Sequence, residues 1–421
     1  MPEERKKIAL IVQRYGLEVN GGAEFHARIL AEKLAQKYEV EILTSTAINH
    51  HGWENHYQPG ESFINGIKVH RFSTFAKSKR KTRVARRAIF KKKKYFKILK
   101  FLGIFKKADQ LFNLSEVTET DVEAWLRGQG PHVPDLVEFI SAEKDNYEVF
   151  IFFTYLYYPT VVGMPLVAEK SIFIPTAHDE PVLYTKPYNN LFSVPKFIMY
   201  NTESEKQLIE KNFRNIAENS EVAGVGISPF DGEKARLPAE IIPNKYFIYI
   251  GRIESAKGCD LVIHNFLEFQ KKYPKYREFK LVLVGKNHMK KTHHNSAIIY
   301  TGFVSEELKH AYLANALALI MPSFYESLSM VTLEAMVEKK PVIVNGNCSV
   351  LKSHIERSET GKSYTTKAEF FQALQYYIGQ SEMEREKEAE KARKYVLGNY
   401  SWKSVLQKFD DAIEFVTKSK M

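Results

Sequence analysis

Cysteine is scarce. Cys259 and Cys348 are the only two in 421 residues, too few for a disulfide framework and without metal-ligand spacing. Both are therefore expected as buried thiols in a reducing compartment. Long apolar runs are missing too: no stretch of 18 apolar residues occurs, which excludes a membrane-spanning helix. The apolar residues 8–12, behind a charged start, are too short for a secretory signal core. These absences predict a cytoplasmic protein, soluble or at most peripheral on a membrane. No Asp-x-Asp motif is placed to bind a metal, so the metal set is expected to be empty and no cofactor is expected. Acid is absent from one stretch: residues 77–107 hold 15 Lys or Arg and no Asp or Glu, leaving 46 basic residues against 50 acidic ones elsewhere. The net charge of +11 therefore points to a local anionic partner.

What is present is strand and helix in alternation. The run 8–12 is apolar throughout, as a parallel strand buried on both faces must be. A loop with Gly21-Gly22 follows, then Ala27, Leu30, Ala31 and Leu34 at helical spacing and a second strand at 40–44. Further strands are expected at 149–153, 171–175, 197–201 and 222–226, with a helix over 203–212. The alternation resumes beyond a polar connector: strands at 246–251, 279–285, 297–301, 317–321 and 341–345, helices at 260–273, 306–315 and 331–338, and a charged helical stretch over 381–420. This predicts an α/β protein of two Rossmann-like, doubly wound domains. Their expected limits are 1–227 and 228–395, with 396–421 as a C-terminal helix packing back on the first domain.

The second half carries a constellation. Gly251-Arg252 ends a strand, with Lys257-Gly258 beyond it. Glycine permits the sharp turn, and the two cations suit a diphosphate, which arginine can bind bidentately. Leu283-Val284-Gly285-Lys286 ends another strand at glycine, and Thr301-Gly302-Phe303-Val304 is an extended segment whose backbone can read a base edge. The most informative run is Met321-Pro322-Ser323-Phe324-Tyr325-Glu326-Ser327-Leu328-Ser329-Met330-Val331-Thr332-Leu333-Glu334. A strand gives way to a loop with Glu326 and then to a helix whose first N–H groups, near Ser329, Met330 and Val331, form a phosphate cradle. Glu334, one turn in, suits vicinal hydroxyls.

This run resembles the Glu-x7-Glu motif of the retaining family-4 glycosyltransferases (glycosyl transferases group 1), which have the GT-B fold: two such domains facing across a cleft. Gly251-Arg252 with Lys257 resembles that family's phosphate-binding arginine and lysine, and the segment at Val304 its base-contacting loop. The resemblance implies that Glu326 holds the transferred sugar and Glu334 the ribose of a nucleotide-diphosphate sugar, a hexose donor. It also implies that the departing diphosphate takes the acceptor's proton without a covalent nucleophile. Where the family often has Gly-Phe-Gly, this chain has Ser327-Leu328-Ser329; a serine there is expected to cap the helix through its hydroxyl.

In the first half, Gly21 and Gly22 resemble the loop the family sets against the donor phosphates, although a tight strand-to-helix turn would use the same glycines. Arg14 is a second cation near that loop. His178, in His178-Asp179-Glu180 behind a strand, resembles a histidine the family places against the donor sugar. Residues 77–107 interleave cations with Phe90, Tyr95, Phe96, Phe101 and Phe105, the composition of a basic amphipathic helix on an anionic membrane surface; an insertion packing its apolar side on its own domain reads the same way. No nucleic acid is expected as partner. The expected activity is a retaining hexosyltransferase of surface-polysaccharide or glycolipid biosynthesis, with a saccharide or lipid-linked acceptor. A sugar-nucleotide epimerase on the same fold and a non-catalytic partner subunit are the alternatives.

Overall fold

The apolar runs become strands because each is covered on both faces. A computed structural model describes residues 5–19, 21–50, 52–75, 78–90, 116–233, 235–289 and 292–418. The chain divides into two compact units, Met1–Ala223 with Leu406–Met421, and Gly224–Val405.

The N-terminal unit is built on an eight-stranded sheet. Its strands are β1 (Lys7–Ile11), β2 (Glu39–Ser45), β3 (Gly60–Ile64), β4 (Ile67–Phe72), β5 (Val149–Phe153), β6 (Ser171–Ile174), β7 (Phe197–Tyr200) and β8 (Ser220–Val222). They lie in the order β3-β4-β2-β1-β5-β6-β7-β8. All neighbours pair in parallel except β3 with β4, an antiparallel hairpin turning at Asn65-Gly66. Both turn residues have positive φ (48° and 80°), the type I′ geometry that suits the twist of a hairpin. Every residue of β5 is buried, and Phe150 and Phe152 join a core with Trp125, Leu136, Tyr155 and Phe173.

The expected strand at 222–226 is instead Ser220–Val222; the glycines after it carry the chain out of the sheet rather than extend it. The C-terminal helix Trp402–Lys418 begins six residues later than the expected 396, because the preceding helix runs on to Asn399. From Leu406 onward it belongs to the N-terminal unit. There Tyr38 Oη and Lys37 Nζ donate to the Asp410 carboxylate at 2.7 and 2.8 Å, and Phe415 meets Phe197 edge-on.

Part of the basic segment is described. Ser78 caps the helix Lys79–Ile89, which buries Ala85, Ala88 and Ile89 and lies against the helix Glu119–Gln129. Phe90 adds an edge contact to Trp125. Over 78–90 the apolar side thus packs on its own unit, while 91–107, with most of the aromatic residues of the expected membrane-surface segment, lie outside the described residues. Among the described residues no helix is long and apolar enough to cross a membrane.

The C-terminal unit holds a six-stranded, all-parallel sheet: β9 (Tyr246–Ile250), β10 (Lys280–Val284), β11 (Ile298–Gly302), β12 (Ala318–Met321), β13 (Val342–Asn345) and β14 (Lys362–Tyr364). The order is β11-β10-β9-β12-β13-β14. The order reverses between β9 and β12, so the loops after these two central strands open at one point on the sheet's C-terminal edge, where such sheets bind ligands.

Candidate donor site of the C-terminal unit

The loop after β9 is fixed by backbone contacts that exclude side chains. Gly251 N donates to Val284 O at 2.9 Å, and a Cβ on Gly285 would lie 2.0 Å from the Gly251 carbonyl oxygen. Gly258, at φ +77°, starts the helix Cys259–Lys272; a Cβ there would come within 2.5 Å of the Pro322 carbonyl oxygen. Side-chain-free backbone therefore brings Lys257 beside the loop after β12. Both cysteines are buried, and burial pushes both thiols up, away from the reactive thiolate.

Here Lys257 meets Glu326. Its Nζ donates to Glu326 Oε1 at 2.8 Å, with the two side chains 26% and 15% exposed. Arg252 lies 3.3 Å from Glu254, and Tyr249 Oη donates to its carbonyl. The sequence offered Arg252 and Lys257 as two cations aimed at a ligand; the structure gives each a carboxylate.

The helix Met330–Val337 opens on Ser329 in the left-handed region, φ 62° and ψ 66°. The expected hydroxyl cap is not made. Ser329 Oγ instead pairs with Thr332 Oγ1 at 2.8 Å, because the left-handed backbone turns the side chain away from the geometry of an extended N-cap. The N–H groups of Met330 and Val331 head this helix, as the unpaired donors of any first turn do. Glu334 projects one turn in and is paired with a residue that sequence reasoning missed: Lys309 Nζ donates to Glu334 Oε2 at 3.3 Å. Burial opposes the charge on Lys309, but Glu334 and Glu306 outweigh it and hold the ammonium above its ordinary value. In sequence, Lys309 three residues after Glu306 reads as an ordinary surface pair. Val304 is half-buried after β11, next to Phe303, which is 71% exposed.

The structure thus brings Gly251, Arg252, Lys257, Glu326, Ser329, Met330, Val331 and Glu334 to one edge of the C-terminal sheet. Gly21, Gly22 and His178 belong to the N-terminal unit. Gly22 starts the helix Gly22–Leu34, and Gly21 is glycine because a Cβ would lie 2.0 Å from a Glu24 carboxylate oxygen. That carboxylate accepts from Gln13 and Arg14, and Arg14 also donates to Ile48 O at 2.7 Å, so Arg14 ties the loop down. His178 Nε2 stands 3.3 Å from Glu180 Oε1, which also accepts from Tyr155 Oη. Behind it, the fully buried Glu205 accepts from the N–H groups of Ala177 and Asn201. The Thr202-x-x-Glu205 spacing, a capping-box signature, was the signal for that residue. Among the described residues no group of three or more His, Cys, Asp or Glu is placed to hold a metal ion.

Two doubly wound units with these parallel sheets are the architecture of the GT-B glycosyltransferases. The chain has that fold over its whole length: sucrose-phosphate synthase from Thermosynechococcus elongatus is similar at TM-score 0.68 and 15% identity, covering 99% of this chain and 100% of the other. The HepE protein of Anabaena, solved with UDP and glucose, gives TM-score 0.63 at 14% identity over 97% and 99%. The E. coli trehalose-6-phosphate structure bound with UDP-2-fluoro glucose gives 0.66 at 11% over 97% and 99%. In sequence, residues 238–395 match the family Glycosyl transferases group 1, and that segment contains every site residue named above in the C-terminal unit. No curated protein matches the chain significantly in sequence.

Proposed function

We propose that this protein is a retaining glycosyltransferase of family 4 that moves a hexose-type sugar from a nucleotide-diphosphate sugar to a saccharide or lipid-linked acceptor. The observation that carries the reading is the Lys257–Glu326 pair at 2.8 Å beside the left-handed start of the helix Met330–Val337. A cation for phosphate and a carboxylate for sugar hydroxyls are held against one another until a ligand carrying both separates them. An arriving diphosphate draws the ammonium from Glu326 and gains a charge-assisted bond. Glu326, released, accepts from the hydroxyls of the attached sugar. Phosphate without sugar frees the carboxylate and gives it nothing, so the complete donor is favoured over the bare nucleotide.

The leaving diphosphate is then met by Lys257, Arg252 and the N–H groups of Met330 and Val331, donors that stabilise the charge developing on it. On this reading no metal is required. Glu334, held by Lys309, takes the ribose hydroxyls, and the backbone at Val304 faces the base. The acceptor hydroxyl attacks on the face the diphosphate leaves, and a diphosphate oxygen takes its proton. For His178, Gly21 and Gly22 the support is their motif. Two of the similar structures contain UDP or a UDP-sugar, which makes uridine the first base to test. A lipid-linked acceptor in surface-polysaccharide or glycolipid assembly at the inner face of the plasma membrane is the setting suggested by the 15 cations of residues 77–107.

The test is calorimetric titration of UDP and GDP, without metal, into the wild type and into Arg252→Ala/Lys257→Ala. Binding of one nucleotide that weakens at least about 100-fold in the double variant is expected, since two charge-assisted bonds are worth about 1.5–3 kcal/mol each. Folded wild type that binds neither nucleotide sinks the proposal.

A further inference from the structure

The left-handed Ser329 needs something to hold it. A non-glycine residue in that region is strained, and such strain persists only where its surroundings enforce it. The Ser329–Thr332 hydroxyl contact holds the side chain, but it leaves the peptide before Ser329 able to flip. A flip would swing the Leu328 carbonyl and the Ser329 N–H to the opposite side and change the φ with which Ser329 leads into the helix.

The Leu328 carbonyl is held from behind. His354, on the helix Ser349–Ser358 and 2% exposed, places Nε2 2.8 Å from Leu328 O. A carbonyl only accepts, so Nε2 carries the hydrogen. In the neutral ring Nδ1 then accepts, and 3.0 Å away stands Tyr395 Oη, a hydroxyl able to donate. Burial pushes the imidazole down to about 4, so the ring is neutral near pH 7. Tyr400 Oη lies 3.4 Å from Tyr395 Oη, and the Tyr400 backbone is held separately, its carbonyl accepting from Ile227 N at 2.7 Å. Tyr395 and Tyr400 are buried, and their rings stand edge-on to His354 at 6.1 and 5.9 Å. A buried hydrogen-bonded pair such as His354 and Tyr395 favours one orientation of the ring, and with it one arrangement of the Leu328 carbonyl it holds.

We infer that His354, oriented by Tyr395, is a positioning residue of the donor site: by donating to the Leu328 carbonyl it locks the 328–329 peptide and presents the helix N–H groups of Met330 and Val331 to the donor's phosphates. The inference rests on the donor-site reading and adds to it a residue 20 positions beyond Glu334, on a different helix, that touches no ligand. It also says why Ser329 can stand where glycine would be unstrained.

The test uses the full chain and the nucleotides UDP and GDP, with dissociation constants from calorimetry and melting temperatures from circular dichroism. His354→Leu removes the donor, and His354→Gln restores an N–H that reaches the Leu328 carbonyl. Tyr395→Phe removes only the group that orients the ring. Tyr377→Phe is the control for stability alone, because Tyr377 Oη donates to Glu388 in the same unit without entering the relay. Expected are about tenfold weaker binding for His354→Leu, about threefold for Tyr395→Phe, recovery to within twofold in His354→Gln, and unchanged affinity in Tyr377→Phe despite a lower melting temperature. Wild-type affinity in folded His354→Leu, or no recovery in His354→Gln, overturns the inference. If His354→Leu does not fold, Tyr395→Phe decides: weakened binding at a melting temperature no lower than that of the control supports the relay, and wild-type affinity overturns it. A wild type that binds neither nucleotide overturns the donor-site reading and the relay's role with it, an outcome separate from variants that bind as well as wild type.

Discussion

Both units place charged pairs behind a glycine-bearing loop after a central strand, and the two pairs are set to do opposite things. In the N-terminal unit Arg14 and Glu24 are 6% and 5% exposed; Glu24 also takes Gln13, and Arg14 also takes the Ile48 carbonyl. Among the described residues this pair is held by further bonds on both sides, and it braces the start of the helix Gly22–Leu34. In the C-terminal unit Lys257 and Glu326 are 26% and 15% exposed, so a phosphate can reach the ammonium and a hydroxyl the carboxylate. A buried pair that loses one member leaves an uncompensated charge, whereas a partly exposed pair is exchanged at less cost. On the proposed reading, the same residue types serve as scaffold in one unit and as a ligand-exchangeable pair in the other.

The contrast is broken most sharply by removing one member from each unit's pair. Glu24→Ala strands the Arg14 guanidinium and is expected to destabilise the N-terminal unit by about 3–5 kcal/mol, read from denaturant unfolding. Removing both charges, in Arg14→Met/Glu24→Met, should cost less than the single change. If Glu24→Ala unfolds at the wild-type midpoint, the pair is no scaffold. A pH-gated counterpart lies at Glu41 in the same unit. Burial would raise its carboxyl, but bonds from His70, Tyr147 and Lys7 outweigh it and hold it at about 2. A folded value below the unfolded one stabilises above about pH 4.5, and the gain is lost as pH falls toward 2. Glu41→Gln should therefore flatten the acid limb of the N-terminal unit's stability profile.

On the other side of the comparison, Lys257→Met should shift stability by no more than about 1 kcal/mol. Its affinity for the favoured nucleoside diphosphate should fall by about 10- to 100-fold, the worth of one charge-assisted bond. A variant that loses stability and keeps affinity would make Lys257 scaffold after all. Lys309→Met sharpens the point. With Glu334 no longer held, the expected loss is about tenfold in the preference for ribose over 2′-deoxyribose nucleotides, about the value of a single hydrogen bond to a charged group. Titrating both nucleotides into wild type and variant measures it, and an unchanged preference would remove Lys309 from ribose recognition.

A residue's role is legible in the sequence where it acts through its neighbours in the chain. Strand 149–153 and helix 306–315 were legible because a two-face apolar run and a helical spacing are local signals. Gly251, Lys257, Glu326 and Glu334 stood in a motif for the same reason. The β3–β4 hairpin went unread although Asn65-Gly66 announces it, since the flanking strands are short and half polar. Lys309 and His354 were not legible at all: each acts on a residue more than 20 positions away, across the fold, and neither helix carries a sign of it. The opposite error occurred at Ser329. Serine before a helix reads as an N-cap, but that reading assumes an extended backbone, and the dihedral was hidden.

Ser329 also gives the smallest and most discriminating test. A non-glycine residue in the left-handed region costs about 1–2 kcal/mol, and glycine adopts it freely. Against that gain, Ser329→Gly gives up the hydroxyl contact to Thr332, worth about 0.5–1.5 kcal/mol. The net expectation is a stabilisation of the C-terminal unit of at most about 1 kcal/mol, with nucleotide affinity held within twofold. Ser329→Ala keeps the strain and loses the contact, so it should destabilise by about 1 kcal/mol. The two substitutions differ by one methyl group and should move the unfolding midpoint in opposite directions. If both lower it, the hydroxyl and not the dihedral governs this position, and the relay through His354 has less strain to contain than its burial implies.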